Sequence, residues 1–350
     1  MKILVVLDGT GTSQVIADRL LAKIRENGLA AEVNTLVIDQ VPGVRLQSRG
    51  DINEYIGRPE HLAECIGDTD ILVVHLAPVD ASAIAAGSRL KLIGCARGGP
   101  QNVDVAAAWA KGIKVVYCPG RNAQAVAEFT FGLMIAAARG IVRGRIAALE
   151  RQWQHRMDRN SYFGPELMGK TLGIVGFGSI GRVVARIARA LDMKVLAYDP
   201  QPQSSVPEGV ELVDLPTLLG KSDFISLHAR LNPGAPHLIG APEFALMKKT
   251  AILVNTARGE LIDERALRIA IESKTIAGAA LDVLEEEPPS KTNILLNLPE
   301  VIVTPHIAGI STDTAEWSAR LLVEDILCYI NGGAPEHVMN VASQPAPSMR

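Results

Sequence analysis

The chain has 350 residues, long enough for two domains that each bury a core. It is 48% apolar and 21% charged, and its mean hydropathy of +0.18 reflects the Ala, Val, Ile and Leu that suit buried parallel strands. A net charge of −3, a pI near 6.2 and the lack of any long Lys or Arg run exclude nucleic acid as a partner.

Residues 3–7 follow Met1 and Lys2 without the longer apolar stretch and small-residue cleavage site of a secretion signal, and read as a first strand. Short β-rich runs then alternate with helical stretches: a helix over 13–27, strands at 32–37 and 71–76, a short helix at 82–86 and a strand at 90–95. A second, more regular series begins near Val115, with strands at 172–175, 194–198, 224–227, 251–254, 277–281 and 301–304. Between the two lies 123–149, a stretch rich in Ala, Gly and Leu that reads as one long helix needing cover on more than one side; it is an interdomain helix or the contact of a homodimer. A last amphipathic helix spans 313–331, and 344–350 reads as a loose tail. The fold class is therefore α/β, two Rossmann-like doubly wound parallel-sheet domains with an active-site cleft between them.

The longest apolar stretch, 129–138, is about half of the ~20 residues a spanning helix needs, so no membrane segment is expected. Cys65, Cys95, Cys118 and Cys328 form no CxxC pair, which argues against a metal site or a disulfide framework and for reduced thiols in a cytoplasmic protein. Cys95 sits beside a glycine-rich loop, although a small buried hydrophobe is its simpler reading.

After the strand at 172–175 comes Gly176-Phe177-Gly178-Ser179-Ile180-Gly181, followed at once by a helix. Bare GxGxxG is a weak signal; with strand before and helix after, it describes a dinucleotide-binding turn. The first glycine permits the turn, the second admits the pyrophosphate and the third lets helix and strand pack closely. The next strand ends in Tyr198-Asp199-Pro200, where a carboxylate meets ribose hydroxyls and repels a 2′-phosphate, so NAD is expected rather than NADP. A cap before Pro200 is the plainer alternative for Asp199.

The other strand exits of this half carry His228, the run Asn255-Thr256-Ala257-Arg258, Asp282 and Thr304-Pro305-His306. Hydride transfer on a 2-hydroxy acid needs a cation for the carboxylate and a group that exchanges the hydroxyl proton near neutral pH. Arg258 suits the first need and His306 the second, and Glu287 can orient the imidazole and favour its charged form. Each has an ordinary alternative: a surface ion pair, a buried satisfied histidine and a member of a solvated acidic run.

With GFGSIG at 176–181, LVNTARGELIDERAL at 253–267, AALDVLEEEPP at 279–289 and TPHIAG at 304–309, the chain resembles the D-isomer-specific 2-hydroxyacid dehydrogenase family over nearly its whole length. The resemblance implies an NAD-dependent enzyme that moves a hydride between NAD(H) and C2 of a small D-2-hydroxy or 2-oxo acid, with glycerate, hydroxypyruvate or phosphoglycerate as representative substrates. It implies that Arg258 holds the carboxylate and 2-oxo oxygen, His306 is the general acid or base and Glu287 sets its protonation. Asp282 would lie near the nicotinamide; His228, Thr256, Ala257, Arg258, His306 and Gly309 join the glycine turn and Asp199 as cofactor contacts. Gly98 and Gly99, in Ala96-Arg97-Gly98-Gly99-Pro100, would receive the substrate carboxylate on backbone N–H groups, as side-chain-free backbone allows. The resemblance places the substrate domain at 1–118 plus 309–350 and the NAD-binding domain at 119–308.

Two features depart from the family pattern. Arg230 stands where many relatives have proline, and His75, Arg97 and Arg121 add cationic or protonatable groups to the substrate side, which suggests a second anion, phosphate or carboxylate, on the substrate. The chain ends soon after its closing helix, so no C-terminal regulatory domain is expected. The rival readings are a phosphite dehydrogenase on the same scaffold and an NAD(H)-sensing binding protein or corepressor. Glu287, where formate enzymes of the group carry Gln, argues against formate.

Overall fold

The computed structural model describes residues 1–38, 46–150, 164–201, 206–229 and 237–339. Arg230 and the tail 344–350 lie outside the described residues. The chain divides into two compact units, Met1–Asn122 with the segment from Ser311 onward, and Ala123–Ile310.

The first unit runs β1 (Lys2–Leu7), α1 (Gly11–Glu26), β2 (Glu32–Val37), β3 (Gln47–Arg49), β4 (Ile52–Tyr55), α2 (Pro59–Cys65), β5 (Ile71–Val74), α3 (Ala81–Ala86), β6 (Leu92–Cys95), α4 (Val105–Ala110) and β7 (Lys114–Tyr117). The second continues with α5 (Ala123–Ala138), α6 (Ile141–Leu149), β8 (Thr171–Val175), α7 (Ser179–Ala190), β9 (Lys194–Tyr198), β10 (Val210–Leu212), α8 (Leu215–Lys221), β11 (Phe224–Leu227), α9 (Ala241–Leu246), β12 (Ile252–Asn255), α10 (Glu264–Glu272), β13 (Gly278–Leu281) and β14 (Val301–Val303). The chain then returns to the first unit as α11 (Thr312–Ile330).

Five strands of the first unit form a parallel sheet in the order β2-β1-β5-β6-β7, with β3 and β4 as a separate antiparallel pair. Successive strand residues face opposite sides. Ile3 and Val5 accordingly pack with Ile16 and Leu20 of α1 and Leu322 and Ile326 of α11, while Leu4 and Val6 pack on the far side with Leu62 and Ile84. Gly94 makes room for α11, since a Cβ there would stand 3.1 Å from the Leu322 side chain. The strand exits of β1, β5, β6 and β7 therefore all lie along one edge of this sheet.

The second unit holds a seven-stranded parallel sheet ordered β10-β9-β8-β11-β12-β13-β14. The order reverses at β8, whose exit is the glycine turn; in open α/β sheets ligands bind at that reversal. Phe131, Met134, Ile174 and Val184 fill one face, and Leu218, Ile225, Leu253 and Leu267 the other.

Several expectations are corrected. The stretch 123–149 is two helices that meet at 64°, because Gly140 takes the left-handed φ of 61° that ends α5 and that side chains rarely adopt. Residues 114–117 close the first sheet and do not open the second. A three-residue strand, Val210–Leu212, adds a seventh member to the second sheet; its brevity and exposure left no apolar run to recognise. The β3–β4 pair, α2 and α4 were likewise too short to leave a periodic signal. Among the described residues no single helix is long and apolar enough to cross a membrane.

Because Leu322 is fully buried between α11 and the first sheet, Leu322→Ala should lower unfolding stability by about 2–5 kcal/mol, as large-to-small core changes do, in equilibrium urea denaturation.

Candidate active site

The turn after β8 is shaped by what its glycines exclude. At Gly176, φ is 93°, and a Cβ would lie 2.5–2.7 Å from the backbone of His228 and Ala229. At Gly181 it would stand 2.3 Å from the Gly176 carbonyl oxygen, which is the close helix-to-strand approach. At Gly178 no atom comes within 4 Å of that position, so the backbone borders open space. Helix α7 begins there with no side chain capping its first N–H groups, the arrangement that receives an anion.

Asp199 braces this turn: one carboxylate oxygen accepts the Phe177 N–H at 2.8 Å, and the other accepts the Gln201 N–H at 2.9 Å. At the exit of β11, the His228 Nε2 is 2.8 Å from the Ser226 hydroxyl, while its buried Nδ1 has no partner among the described residues. Burial pushes the pKa of His228 down to about 3, so the ring is neutral. An open space over Gly178, an uncapped helix start and an orphaned imidazole nitrogen at the next strand exit together fit a bound dinucleotide.

The exit of β12 is a tight turn organised by Asn255, whose side chain accepts the Ala257 N–H at 3.0 Å and donates to the Arg258 carbonyl at 2.8 Å. Thr256 pairs with Thr130 of α5 at 2.9 Å. The Arg258 guanidinium donates through Nη1 to the Ala257 carbonyl. Gly259 follows, and a Cβ there would lie 2.0 Å from the Leu284 carbonyl carbon and 2.4 Å from the Glu285 nitrogen. The absent side chain thus lets the Arg258 turn press against the loop that carries Glu287.

Glu287 accepts the Leu284 N–H on Oε1 at 3.0 Å, and its Oε2 stands 2.6 Å from the Nδ1 of His306. Burial raises the pKa of this carboxyl, but the His306 and Leu284 hydrogen bonds and the charges of His306 and Arg258 outweigh it and hold the group below its usual range. The pKa of His306 moves up. The Glu287 hydrogen bond is the main cause, burial and Arg258 oppose it, and the Glu287 and Asp282 charges add to it. Arg258 therefore acts electrostatically on both members of the pair, so the three residues singled out in the sequence are neighbours.

His306 occupies a left-handed conformation, φ 55°, which is uncommon for a residue with a side chain. Asp282 holds it there. Its Oδ1 accepts the Thr304 hydroxyl at 2.6 Å and the Ile307 N–H at 3.0 Å, its Oδ2 accepts the Ala308 N–H at 2.8 Å, and its backbone carbonyl accepts the His306 N–H at 2.9 Å. Both oxygens of the buried Asp282 are thus engaged by the loop that presents the imidazole, with Gly309 enclosed in the turn that follows.

In the first unit, Gly98 and Gly99 sit in a loop fastened to its neighbours: Ala96 donates to the Val74 carbonyl and Cys118 to the Arg97 carbonyl, both at 2.8 Å. The Arg97 side chain is committed to Glu54, donating 2.6 Å to its carbonyl and also to its carboxylate. It is not the unspent cation that its place in the loop suggested. His75 is buried against Asp8 and Thr10, with Nδ1 3.2 Å from the carboxylate and 3.0 Å from the hydroxyl. Burial lowers the pKa of His75, Asp8 pulls it up, and Arg121 and Arg97 push it down again. The Asp8-Thr10-Ser13 cluster escaped the sequence reading. Its signal was an acid directly after a strand, the same rule that found Asp199 and Asp282.

Residues 131–308 match the family "D-isomer specific 2-hydroxyacid dehydrogenase, NAD binding domain". The D-3-phosphoglycerate dehydrogenase of Methanocaldococcus jannaschii is 45% identical over 306 residues, 86% of this chain and 57% of that one, so the chain spans little more than half of that relative. The hydroxypyruvate reductase of Thermotoga maritima is 45% identical over 276 residues, 78% of this chain and 87% of that one. The NAD-complexed D-isomer specific 2-hydroxyacid dehydrogenase of Lactobacillus delbrueckii ssp. bulgaricus superposes with a TM-score of 0.76 at 25% identity, over 97% of this chain and all of that one. A match through about half of its length, and a Thermotoga relative that it covers almost whole, show that the chain belongs to the D-isomer specific 2-hydroxyacid dehydrogenase family, with an NAD-binding domain at residues 131–308.

Proposed function

We propose that the protein is an NAD-dependent oxidoreductase that interconverts a small D-2-hydroxy acid and its 2-oxo acid. The observation that carries this reading is the His306–Glu287 contact at 2.6 Å with the Arg258 charge acting on both. NAD, held by the glycine turn, Asp199 and the β11 and β12 exits, supplies or accepts the hydride at C2 when bound. Arg258 offers a planar fork to the substrate carboxylate and draws electron density from the 2-oxo oxygen. In reduction, the protonated His306 gives its proton to that oxygen; in oxidation, the neutral ring takes it back. Glu287 acts through the imidazole, fixing its orientation and favouring the charged ring. The N–H groups of Gly98 and Gly99 receive the substrate carboxylate on the first unit. The relatives named hydroxypyruvate reductase and D-3-phosphoglycerate dehydrogenase support short, oxygen-rich substrates.

NAD is preferred to NADP through the Asp199 charge. The exposed apolar residues of α6, Ile141, Val142, Ile146 and Leu149, form the contact of a homodimer, since no residue of that helix is buried within the chain. The cysteines are unpaired, in keeping with a cytoplasmic enzyme.

NADH consumption with a panel of 2-oxo acids tests the reaction, and His306→Ala should lower kcat by about 10²–10⁴-fold while leaving NADH affinity nearly intact; undiminished turnover would overturn the assignment. Glu287→Gln removes the main cause that raises the His306 pKa. The imidazolium is then lost at lower pH, so the alkaline limb of kcat/KM for reduction should move to lower pH, and the acid limb for oxidation should move the same way. Asp199→Asn, which keeps an acceptor for the Phe177 N–H but removes the charge, should raise the kcat/KM ratio of NADP to NAD about tenfold or more. Sedimentation equilibrium should give the mass of two chains for the wild type and of one for Ile146→Glu.

A further inference from the structure

The loop 285–293 carries Glu287, and both of its ends are held by one side chain. Glu264, the first residue of α10, accepts the Glu285 N–H on Oε1 at 2.8 Å and the Asn293 side-chain amide on Oε2 at 3.1 Å. Helix α10 presents that carboxylate from a fixed point: Asp263 caps the helix by accepting the Arg265 and Ala266 N–H groups, and Ala266 and Leu267 are buried in the core. At the far end of the loop, Asn293 also accepts the Leu295 N–H at 3.0 Å, and Leu295 is buried. At the near end two consecutive amides divide the work. The Leu284 N–H donates to Glu287 Oε1, and the next amide, that of Glu285, donates to Glu264. The amide that orients the Glu287 carboxylate is thus one peptide away from the amide that Glu264 fixes. The Glu285 side chain is held separately, with Oε1 2.8 Å from the Nε2 of His237.

From this we infer that Glu264 is a positioning residue for the reaction: by holding both ends of the loop 285–293, it keeps the Glu287 carboxylate aimed at the His306 imidazole. The inference rests on the reading above, in which His306 exchanges the hydroxyl proton. Glu264 follows Arg258 and Gly259 on the same stretch of chain, so it joins the Arg258 segment to the Glu287 loop a second time, beyond the Gly259–Leu284 contact. Gly259 lets the two segments touch; Glu264 sets the direction of the amides where they do. Both of its hydrogen bonds are charge-assisted, the stronger kind. A contact as short as the 2.6 Å between Glu287 and His306 is steeply sensitive to angle, so a small rotation of the loop weakens it. The charges that act most on His306 are those of Glu287, Arg258 and Asp282. Glu264 reaches the imidazole through the backbone of the loop and not through its own charge.

The test reads the His306 pKa directly, by NMR titration of the imidazole in the full chain with the resonance assigned from His306→Ala, alongside the pH profile of kcat/KM for 2-oxo acid reduction. Glu264→Ala should lower that pKa by about half a pH unit or more, because a weakened Glu287 hydrogen bond favours the charged ring less. The alkaline limb for reduction should move down with it. Glu264→Gln, which keeps an oxygen for the Glu285 N–H, should retain most of the wild-type value. In a Glu287→Gln background, Glu264→Ala should move neither readout further, since the carboxylate it positions is gone. If Glu264→Ala does not fold, Glu264→Met, which fills similar space without an acceptor, takes its place in each comparison. An unchanged His306 pKa and limb in Glu264→Ala, or the same displacement with and without the Glu287 carboxylate, would overturn the inference and leave Glu264 a brace for α10. Equal displacements in Glu264→Gln and Glu264→Ala would overturn it too, because the lost charge rather than the released loop would then be the cause. A His306 pKa that depends on Glu264 in a protein that reduces no 2-oxo acid would sink the hydride-transfer reading and leave the positioning role standing. Normal turnover with a titration indifferent to Glu264 would do the reverse.

Discussion

Two stretches of backbone touch in the second unit because Gly259 has no side chain. A single methyl group would stand 2.0 Å from the Leu284 carbonyl carbon, so any other residue would force the Arg258 turn away from the loop of Glu287. With the two loops pressed together, the Arg258 turn lies against the loop whose Glu287 meets the His306 imidazole at 2.6 Å. The carboxylate is kept ionised and the imidazole is kept basic by the same contact. Neither property belongs to a residue alone.

The imidazole needs a second support, because its backbone adopts a conformation of the kind that costs of order 1–3 kcal/mol. Asp282 supplies it from beneath, binding the hydroxyl and two amides of the loop with its carboxylate and the His306 amide with its carbonyl. Family likeness put Asp282 beside the cofactor; its hydrogen bonds make it the anchor of the histidine loop. Asp199 behaves similarly, since its carboxylate ties down the glycine turn through the Phe177 N–H.

In the first unit the same topology gives a different result. Parallel strands again end along one edge, yet most of the polar groups gathered there are engaged with one another within the unit, Asp8 with His75 and Arg97 with Glu54. A formal count of cationic residues near the glycine loop therefore overstates what is available to a ligand. What distinguishes Arg121 from Arg97 is the carboxylate beside one and the absence of one, among the described residues, beside the other.

The amino-acid order alone was enough for the doubly wound architecture, and for the glycine turn and the polar strand exits on which Arg258 and His306 stand, because buried parallel strands are continuous apolar runs and each must hand over to a polar exit. Short or half-exposed elements such as β10, α2 and the β3–β4 pair left no such run, and the break at Gly140 was hidden inside an apolar stretch that looked continuous. Only the tertiary structure decided that Glu54 takes Arg97, that Asp282 serves the His306 loop and that Gly259 is the point of closest approach. Those facts depend on which residues meet across tens of intervening positions, and pairing at that range leaves no mark in local spacing.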